Sequence, residues 1–135
     1  MKLSLSLTAV FCFTASIGQA QETVQYELQI KNATQHTAQV IARLPASDKN
    51  NPIIQLPNWR TGRHEILPLA NGMRQVTAST LDGTHLAIHK TDKASWQIDL
   101  PAGKPYQISY ELHANELGLR TRHIDDSHAY LNASA

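Results

Sequence analysis

The sequence predicts an all-β domain built as an antiparallel β-sandwich. Apolar and polar residues alternate over several short segments, which is the period of a strand with one buried face. Turn-forming residues separate these segments at intervals of about 8 to 12 residues. No segment shows the period of about 3.6 residues that is typical of an amphipathic helix. Together the three observations favour two packed antiparallel sheets.

The first predicted element is a hairpin. In "TVQYELQI" the apolar residues take every second position, and we expect them to form the buried face of a half-buried strand: Val24, Tyr26, Leu28 and Ile30. "KNATQ" then turns the chain. The next strand, "TAQVIARL", has a matching apolar face: Ala38, Val40, Ala42 and Leu44. Because the connection is short, the two strands are predicted to pair antiparallel.

The remaining strands are placed by turn signals. "PASDKNNP" predicts a loop, and "IIQLP" predicts a short strand after it. Asn71-Gly72 and Asp82-Gly83 predict tight turns on either side of "MRQVTASTL", because both pairs tolerate positive φ. "THLAIHKT", "SWQIDL" and "YQISYELHA" continue the strand pattern. The last apolar segment, residues 129–131, has no evident partner strand, so we expect a sandwich that is incomplete at its C-terminus.

Residues 1–20 have the composition of a secretory signal peptide, with Lys2 near the start, an apolar run, and small residues before the predicted cleavage after Ala20. The run is shorter than the roughly 20 apolar residues of a membrane-spanning helix, so we expect no membrane anchor in the mature chain. The β-sandwich domain would comprise residues 21–135 and be periplasmic or secreted. Cys12 lies in the leader and is the chain's one cysteine, so the domain is predicted to fold without a disulfide.

Composition argues against a nucleic-acid partner. The chain has 12 Lys and Arg, of which Lys2 lies in the leader, and 11 Asp and Glu, so the domain has a formal net charge of zero. Its basic residues are scattered, and they do not alternate with aromatic residues in the way that follows a phosphate backbone. Trp59 and Trp96 are predicted to anchor the core rather than to form a stacking platform.

"HEILP" contains half of the zinc motif His-Glu-x-x-His, in which two histidines on one helix face bind a metal ion. Pro68 stands in place of the second histidine and disfavours a helix through His64 by about 3 kcal/mol. His85 and His89 lie in a predicted strand, about 13 Å apart, and are predicted to face solvent. No Gly-x-Ser-x-Gly elbow surrounds any serine. We therefore predict no catalytic residue and no cofactor in this chain.

"RHIDDSH" brings ligand-type residues closest together. On an extended chain His123 and Asp125 share a face, about 7 Å apart, and His128 can return after a turn. Two interpretations remain open. The segment can supply three metal ligands, or it can be a polar turn in which Asp125 and Asp126 accept backbone N–H groups and pair with arginine. We favour the polar turn and predict no metal site.

Three segments together resemble a known family: "LPNWRTGRHEI", "KTDKASWQI" and "YELHANELGLRTRHIDDSHAYLN". In this order they are similar to the N-terminal domain of the glycyl aminopeptidase family, metallopeptidase family sixty-one, over residues 22–132. Members commonly show Leu-Pro-x-Trp-x-Pro-Gly-Ser-Tyr, Lys-x-Asp-Lys-x-x-Trp and Arg-Thr-x-x-Asp-Asp-Thr-His stretches. The first stretch departs here, because Thr61, Arg63 and His64 stand in place of Pro, Ser and Tyr.

The resemblance implies a parent protein of three parts: this β domain, a thermolysin-like zinc domain with His-Glu-x-x-His, and a PDZ domain. Because the family's zinc ligands lie in the second part, the resemblance transfers no catalytic or metal-binding residue to this chain, and zinc belongs to the parent family. The matched positions that we take as candidates for an interdomain or structural motif are Trp59, Gly62, Trp96, Arg120, Asp125, Asp126, His128 and Asn132.

We therefore expect a non-catalytic N-terminal β domain that packs against a zinc-peptidase domain absent from this chain, as a truncated product or a separate subunit. An alternative is a free-standing periplasmic β-sandwich module that binds a peptide or a glycan, for example by adding a strand at an open sheet edge. A third hypothesis, an independent hydrolase built on "RHIDDSH", lacks a nucleophile with a base and an orienting group.

Overall fold

The computed structural model describes residues 23–59, 66, 69–118 and 121–131 of the chain. These residues form antiparallel strands joined by turns, with short 3-10 segments at Ala33–Gln35 and Leu69–Gly72. The predicted all-β fold is confirmed. The predicted signal peptide lies outside the described residues and stays a prediction. Within the described ranges, no helix is long and apolar enough to cross a membrane.

The described strands form three antiparallel sheets. A five-stranded sheet has the order β1-β2-β8-β4-β5, a three-stranded sheet has the order β3-β7-β6, and β9 pairs with β10. The strand bounds are β1 Gln25–Asn32, β2 Thr37–Leu44, β3 Ile53–Gln55, β4 Met73–Thr80, β5 His85–Leu86, β6 Ile88–Asp92, β7 Ser95–Ile98, β8 Tyr106–His113, β9 Arg122–Ile124 and β10 Ala129–Leu131.

The main core contains buried residues of both larger sheets, with Ala78 on β4 and Ile108 on β8 packed in one cluster with Ile98 on β7. Trp96 is only 6% exposed, so its prediction as a core anchor is confirmed. The Nζ atom of Lys90 lies 5.3 Å from the centroid of the Trp96 ring, close enough for a cation–π contact on its outer side. Apolar packing therefore joins the two sheets into a sandwich.

A second, smaller core attaches the β9–β10 hairpin to the turn end of β1 and β2. Ala38, Ala114 and Ile124 are buried there, and Ala33 and Leu131 pack against them. The prediction that residues 129–131 have no partner strand is wrong, because β10 pairs residue by residue with β9. The turn between these strands is built from polar residues, which sequence alternation does not identify as a hairpin.

The predicted burial of β1 is wrong, although the strand and its hairpin with β2 are confirmed. The side chains expected in the core are 41 to 73% exposed: Val24, Tyr26, Leu28 and Ile30. Strand β1 is the end strand of the five-stranded sheet, whereas the opposing sheet has three strands. Alternation identifies which face of a strand is apolar, but the opposing layer decides whether that face is covered.

Trp59 is 57% exposed, so its prediction as a core anchor is wrong. It pairs through the backbone with Ile66, which is 73% exposed, rather than lying in one of the three sheets. Ring size predicts a buried tryptophan on average, but the position of this pair outside the sheets leaves both side chains largely accessible.

Two turn regions differ from the predictions in detail. "THLAIHKT" is two strands instead of one, because the chain passes from the five-stranded sheet at β5 to the three-stranded sheet at β6. His85 and His89 are exposed, as predicted. Gly83 has a φ of 94° and ends the turn after β4, as predicted, but Gly72 closes a 3-10 segment without positive φ.

Candidate functional site

The segment "RHIDDSH" forms a hairpin at the second core, with β9 and β10 on either side of a polar turn at residues 125–128. Backbone hydrogen bonds hold β9 to the chain that leaves β8. The Ile124 N–H donates to the Ala114 carbonyl at 2.9 Å, and the Glu116 N–H donates to the Arg122 carbonyl at 3.0 Å. The hairpin is therefore fixed on one side by backbone pairing and on the other by apolar packing.

Asp125 organises the turn. Its Oδ1 atom accepts hydrogen bonds from the Ser127 N–H at 2.8 Å, the Ser127 hydroxyl at 2.7 Å and the His128 N–H at 2.9 Å. The Asp125 N–H in turn donates to the His128 carbonyl at 2.9 Å. The polar-turn interpretation is thus confirmed for Asp125, whose side chain replaces a backbone acceptor as Asp commonly does in turns. Asp126 is exposed.

The same contacts set the charge state of the turn. The Ser127 hydroxyl, the backbone N–H groups of His128 and Ser127, and the His123 ring hold the pKa of Asp125 well below its ordinary value. Each of these groups donates to the carboxylate and so favours its charged form. Asp125 is therefore a fixed negative charge beside two imidazole rings at any physiological pH.

Four histidines of the described residues lie in one row of ring contacts. The His123 ring is 5.6 Å from the His36 ring and 5.3 Å from the His128 ring, between centroids. The His113 ring meets His36 edge to face at 6.4 Å. The Nδ1 atom of His36 lies 2.5 Å from the carbonyl oxygen of Ile124, and since a carbonyl only accepts, His36 donates this bond.

Three side chains of this region direct nitrogen and oxygen atoms toward one another. The Nε2 atom of His123 is 3.0 Å from Oδ2 of Asp125, and the Nδ1 atom of His128 is 3.2 Å from Oδ1. All three ligand-type atoms lie within 4.8 Å of one another. The Nδ1 atoms of His113 and His123 are buried and have no hydrogen-bond partner in the part of the chain that the structure describes.

An open cleft of about 380 Å³ lies beside these histidines. Its lining residues combine an acid, two imidazoles and apolar surface: Glu116, Leu117, Gly118, His123, His128 and Tyr130. The Thr121 hydroxyl lies 2.8 and 2.9 Å from the carbonyl oxygens of Glu116 and Gly118, two of these lining residues. The cleft is large enough for a hydrated ion or a side chain of another molecule.

A second candidate surface is the inner face of β1, defined by Tyr26, Leu28 and Ile30 on the strand and by Val24 directly before it. Tyr26 lies opposite Ala42 on β2, which lies opposite Ile108 on β8, which lies opposite Ala78 on β4. Directly paired residues share one side of a sheet. The inner face of β1 is therefore the continuation of the core-facing side of the sheet, and it is exposed where the core residues of the same row are buried.

The sequence-predicted site residues separate into groups. Asp125, Asp126 and His128 lie together in the β9–β10 turn, whereas Trp96 lies in the main core and Trp59 is exposed. Their role as an interdomain or structural motif stays a prediction. The remaining candidates lie outside the described residues: Gly62, Arg120 and Asn132.

Sequence reasoning missed His36, His113 and Glu116 as members of this region. His36 is separated from Ile124 by 88 positions, and spacing along the chain carries no signal for such a contact. Each of these residues reaches the hairpin through strand order in the five-stranded sheet or through the loop after β8. His36 directly follows the predicted "KNATQ" turn, and no prediction assigned it a contact.

The chain was compared with known proteins. The sequence matches the Peptidase M61 N-terminal domain over residues 25–135. The fold is similar to part of an aminopeptidase N family protein from Idiomarina loihiensis, with a TM-score of 0.68 and 20% identity over 76% of this chain. The similarity covers 17% of that longer chain, and at this identity it shows a shared fold. No curated protein matches the sequence.

Proposed function

This chain belongs to the family of Peptidase M61 N-terminal domains, and from that membership we propose that it packs against a peptidase domain as the non-catalytic β domain of a glycyl-aminopeptidase-like zinc metallopeptidase. The observation that carries the proposal is the exposed inner face of β1. The family match supports the proposal, because the family is that of an N-terminal domain of peptidases. The exposed face supplies a surface on which another domain can lie.

The inner face of β1 is apolar and exposed, although it continues the core-facing side of the sheet. Tyr26 is 73% exposed and Leu28 is 48% exposed, although their direct neighbours on β2, Ala42 and Val40, are 7 and 6% exposed. Covering a large apolar side chain contributes about 1.5 to 3 kcal/mol. Contiguous apolar side chains on a soluble surface commonly mark an interaction site. A partner that continues the sandwich over β1 would therefore gain stability from these side chains.

The opposite face of β1 is polar. The strand therefore has one apolar face that can contact another domain and one polar face that suits solvent. Arg43 on β2 donates to Glu27 at 2.9 Å, and Glu27 also accepts a hydrogen bond from Gln29. These bonds lower the pKa of Glu27, with Gln29 the larger cause and Arg43 the second. Since the domain has no net charge, attraction to an anionic membrane is not expected to direct this face.

The chain by itself is proposed to have no peptidase activity. "HEILP" lacks the second histidine of the zinc motif, because Pro68 stands in its place. Such activity would come from a separate domain with a complete His-Glu-x-x-His motif. Residues 1–20 support export, so we propose that the domain acts in the periplasm or outside the cell.

The test combines the full chain with a separately expressed zinc-peptidase domain of the same family. We expect a one-to-one complex by size-exclusion chromatography and calorimetry, and no aminopeptidase turnover by the chain alone. Tyr26→Asp is expected to weaken the complex at least tenfold, because it charges the inner face of β1. Gln25→Asp is the matched control, since Gln25 is exposed on the opposite face. Equal weakening by both variants, or no complex, would overturn the proposal.

Peptide binding is a second candidate function, favoured by the position of β1. It is the end strand of the five-stranded sheet in the described residues, so its outer edge can accept an extended peptide as an added strand. Nuclear magnetic resonance separates the candidates. Shifts confined to β1 backbone amides on adding extended apolar peptides, without any complex with the peptidase domain, would replace the first proposal by this one.

A further inference from the structure

We propose that His123, Asp125 and His128 form a binding site for a divalent first-row transition-metal ion, with Zn²⁺ as the reference ion. The site is independent of the contact proposed for β1 and lies in the β9–β10 hairpin. Two imidazoles and one carboxylate converge there. This set of donors suits Zn²⁺, Co²⁺, Ni²⁺ or Cu²⁺, whereas Mg²⁺ and Ca²⁺ prefer oxygen ligands alone.

The distances between the donor atoms are close to those that one ion requires. Zn²⁺ lies about 2.0 to 2.2 Å from nitrogen and oxygen ligands, so two donors in a tetrahedral arrangement are about 3.3 Å apart. The Nε2 atom of His123 lies 3.0 Å from Oδ2 of Asp125, and the Nδ1 atom of His128 lies 3.2 Å from Oδ1, the other oxygen of the same carboxylate. All three donor atoms lie within 4.8 Å of one another. The His128 side chain is 57% exposed, so it can rotate to shorten the longest of these distances.

The carboxylate can bind an ion without loss of the turn. The backbone N–H groups and the Ser127 hydroxyl all donate to Oδ1 of Asp125. The Oδ2 atom faces His123 instead. An ion between Oδ2 and the two imidazoles would replace the contact between His123 and Oδ2 and the 2.8 Å contact between Nδ1 of His128 and the Ser127 hydroxyl. The bonds that the turn donates to Oδ1 would persist. The turn thus presents a carboxylate whose orientation is fixed before an ion arrives.

His123 is held in place by its neighbours. Its side chain is 12% exposed and packs against the His36 ring, which is itself fixed by the hydrogen bond to the Ile124 carbonyl. A ligand in a single orientation loses little conformational entropy on binding. The arrangement therefore combines one largely buried imidazole, held by its neighbours, with one exposed imidazole that can close over the ion.

The cleft lies beside two of the three donor residues, so it offers room for a fourth ligand of the ion. Glu116 lines this cleft together with His123 and His128. Sites with three protein ligands commonly keep such a position for water or another molecule. The site would therefore hold an exchangeable ion instead of one closed off by protein.

Calorimetric titration of the full chain with ZnCl₂ tests the proposal, together with the visible absorption of bound Co²⁺. We expect one ion per chain, and a loss of affinity of at least tenfold in His128→Ala. The His85→Ala/His89→Ala double variant is the matched control, since it removes two exposed histidines away from the hairpin. Circular dichroism verifies that each variant is folded.

Nuclear magnetic resonance of the imidazole nitrogens provides a second readout. We expect the largest shifts at Nε2 of His123 and Nδ1 of His128 when Zn²⁺ is added, and reversal by a chelator. Absence of stoichiometric binding would overturn the proposal. So would binding that His128→Ala leaves unchanged, or that the double variant weakens equally. The zinc titration is carried out without the peptidase domain. A negative result would therefore overturn the metal site and leave the proposed packing to its own test.

Discussion

His36 donates a hydrogen bond from Nδ1 to the backbone carbonyl of Ile124, 88 positions later in the sequence. The same residue ends the 3-10 segment after β1 with a φ of 56°, and its carbonyl accepts the Ala114 N–H at 2.7 Å. One residue therefore connects the β1–β2 turn, the end of β8 and strand β9. The arrangement explains why the histidines of three distant segments lie in one row.

His36→Ala removes the side-chain donor of this connection. We expect the free energy of unfolding to fall by about 1 kcal/mol, the net contribution of a typical intramolecular hydrogen bond. Chemical denaturation measures the change, and the exposed His89→Ala is the control. The interpretation would be wrong if both variants were equally stable. Amide exchange is expected to speed up at Ile124 before it changes in the main core.

Trp96→Ala and Trp59→Ala form a pair that separates burial from residue type. Trp96 is 6% exposed, and its removal is expected to cost about 3 to 5 kcal/mol through the cavity it leaves. Trp59 is 57% exposed, so its removal is expected to cost much less. Thermal and chemical unfolding of the two variants supply the comparison. A larger loss for Trp59→Ala would contradict the described core.

Asp125→Asn is expected to destabilise the domain in a pH-dependent way. The pKa of Asp125 is lowered from 3.8 in the folded chain, so the carboxylate contributes stability above pH 3.8, and this contribution is lost as the pH falls toward the folded pKa. The difference between the wild type and Asp125→Asn should therefore be largest near pH 7 and shrink in acid. Denaturation curves between pH 7 and pH 2 measure it, and we expect the difference to shrink below pH 3.8.

Ser127→Ala provides a companion to that experiment. The Ser127 hydroxyl is the largest cause of the lowered pKa of Asp125. Its removal is expected to move the pKa of Asp125 upward while the backbone donors keep it below 3.8. Carbon-13 resonance of the carboxyl group follows the titration directly. An unchanged pKa would mean that the backbone N–H groups alone account for the shift.

Gly72→Ala tests a close contact at the start of β4. A Cβ atom on Gly72 would lie 2.4 Å from Nη2 of Arg122 and 3.0 Å from the His113 carbonyl oxygen. The Arg122 guanidinium ends a flexible side chain and can move aside, whereas the His113 carbonyl belongs to the backbone. We therefore expect a loss of stability of about 1 to 3 kcal/mol, as for other overpacked sites. Asn71→Ala, in the same 3-10 segment, is the control. Equal stability of the two variants would show that Arg122 moves at no cost.

Local pattern was sufficient for much of the fold. The alternation in "YQISYELHA" predicts β8, and the structure places Tyr106 and Ile108 in the core as that alternation requires. The Asp82-Gly83 turn is also confirmed, because the requirement for positive φ is local to the residue. Such features depend on residues that are close together along the chain, so the sequence is sufficient to predict them.

The candidate site was only partly predictable, because several of its contacts join residues that are far apart in the sequence. The sequence placed His123, Asp125 and His128 near one another, because a short turn fixes their geometry. It predicted no metal site, and only the assembled distances argue for one. His36 and Glu116 could not be assigned to the region, since their contacts depend on the order of strands and on a loop that returns to β9.

By itself the sequence determined an all-β chain, the apolar side of each main strand, and membership of a peptidase-associated family through its motifs. The tertiary structure decided which apolar sides are covered. Tyr26 and Ile108 lie in the same row of one sheet, yet one is 73% exposed and the other 2%. Alternation is a property of the strand, whereas burial depends on how far the opposing sheet extends across it.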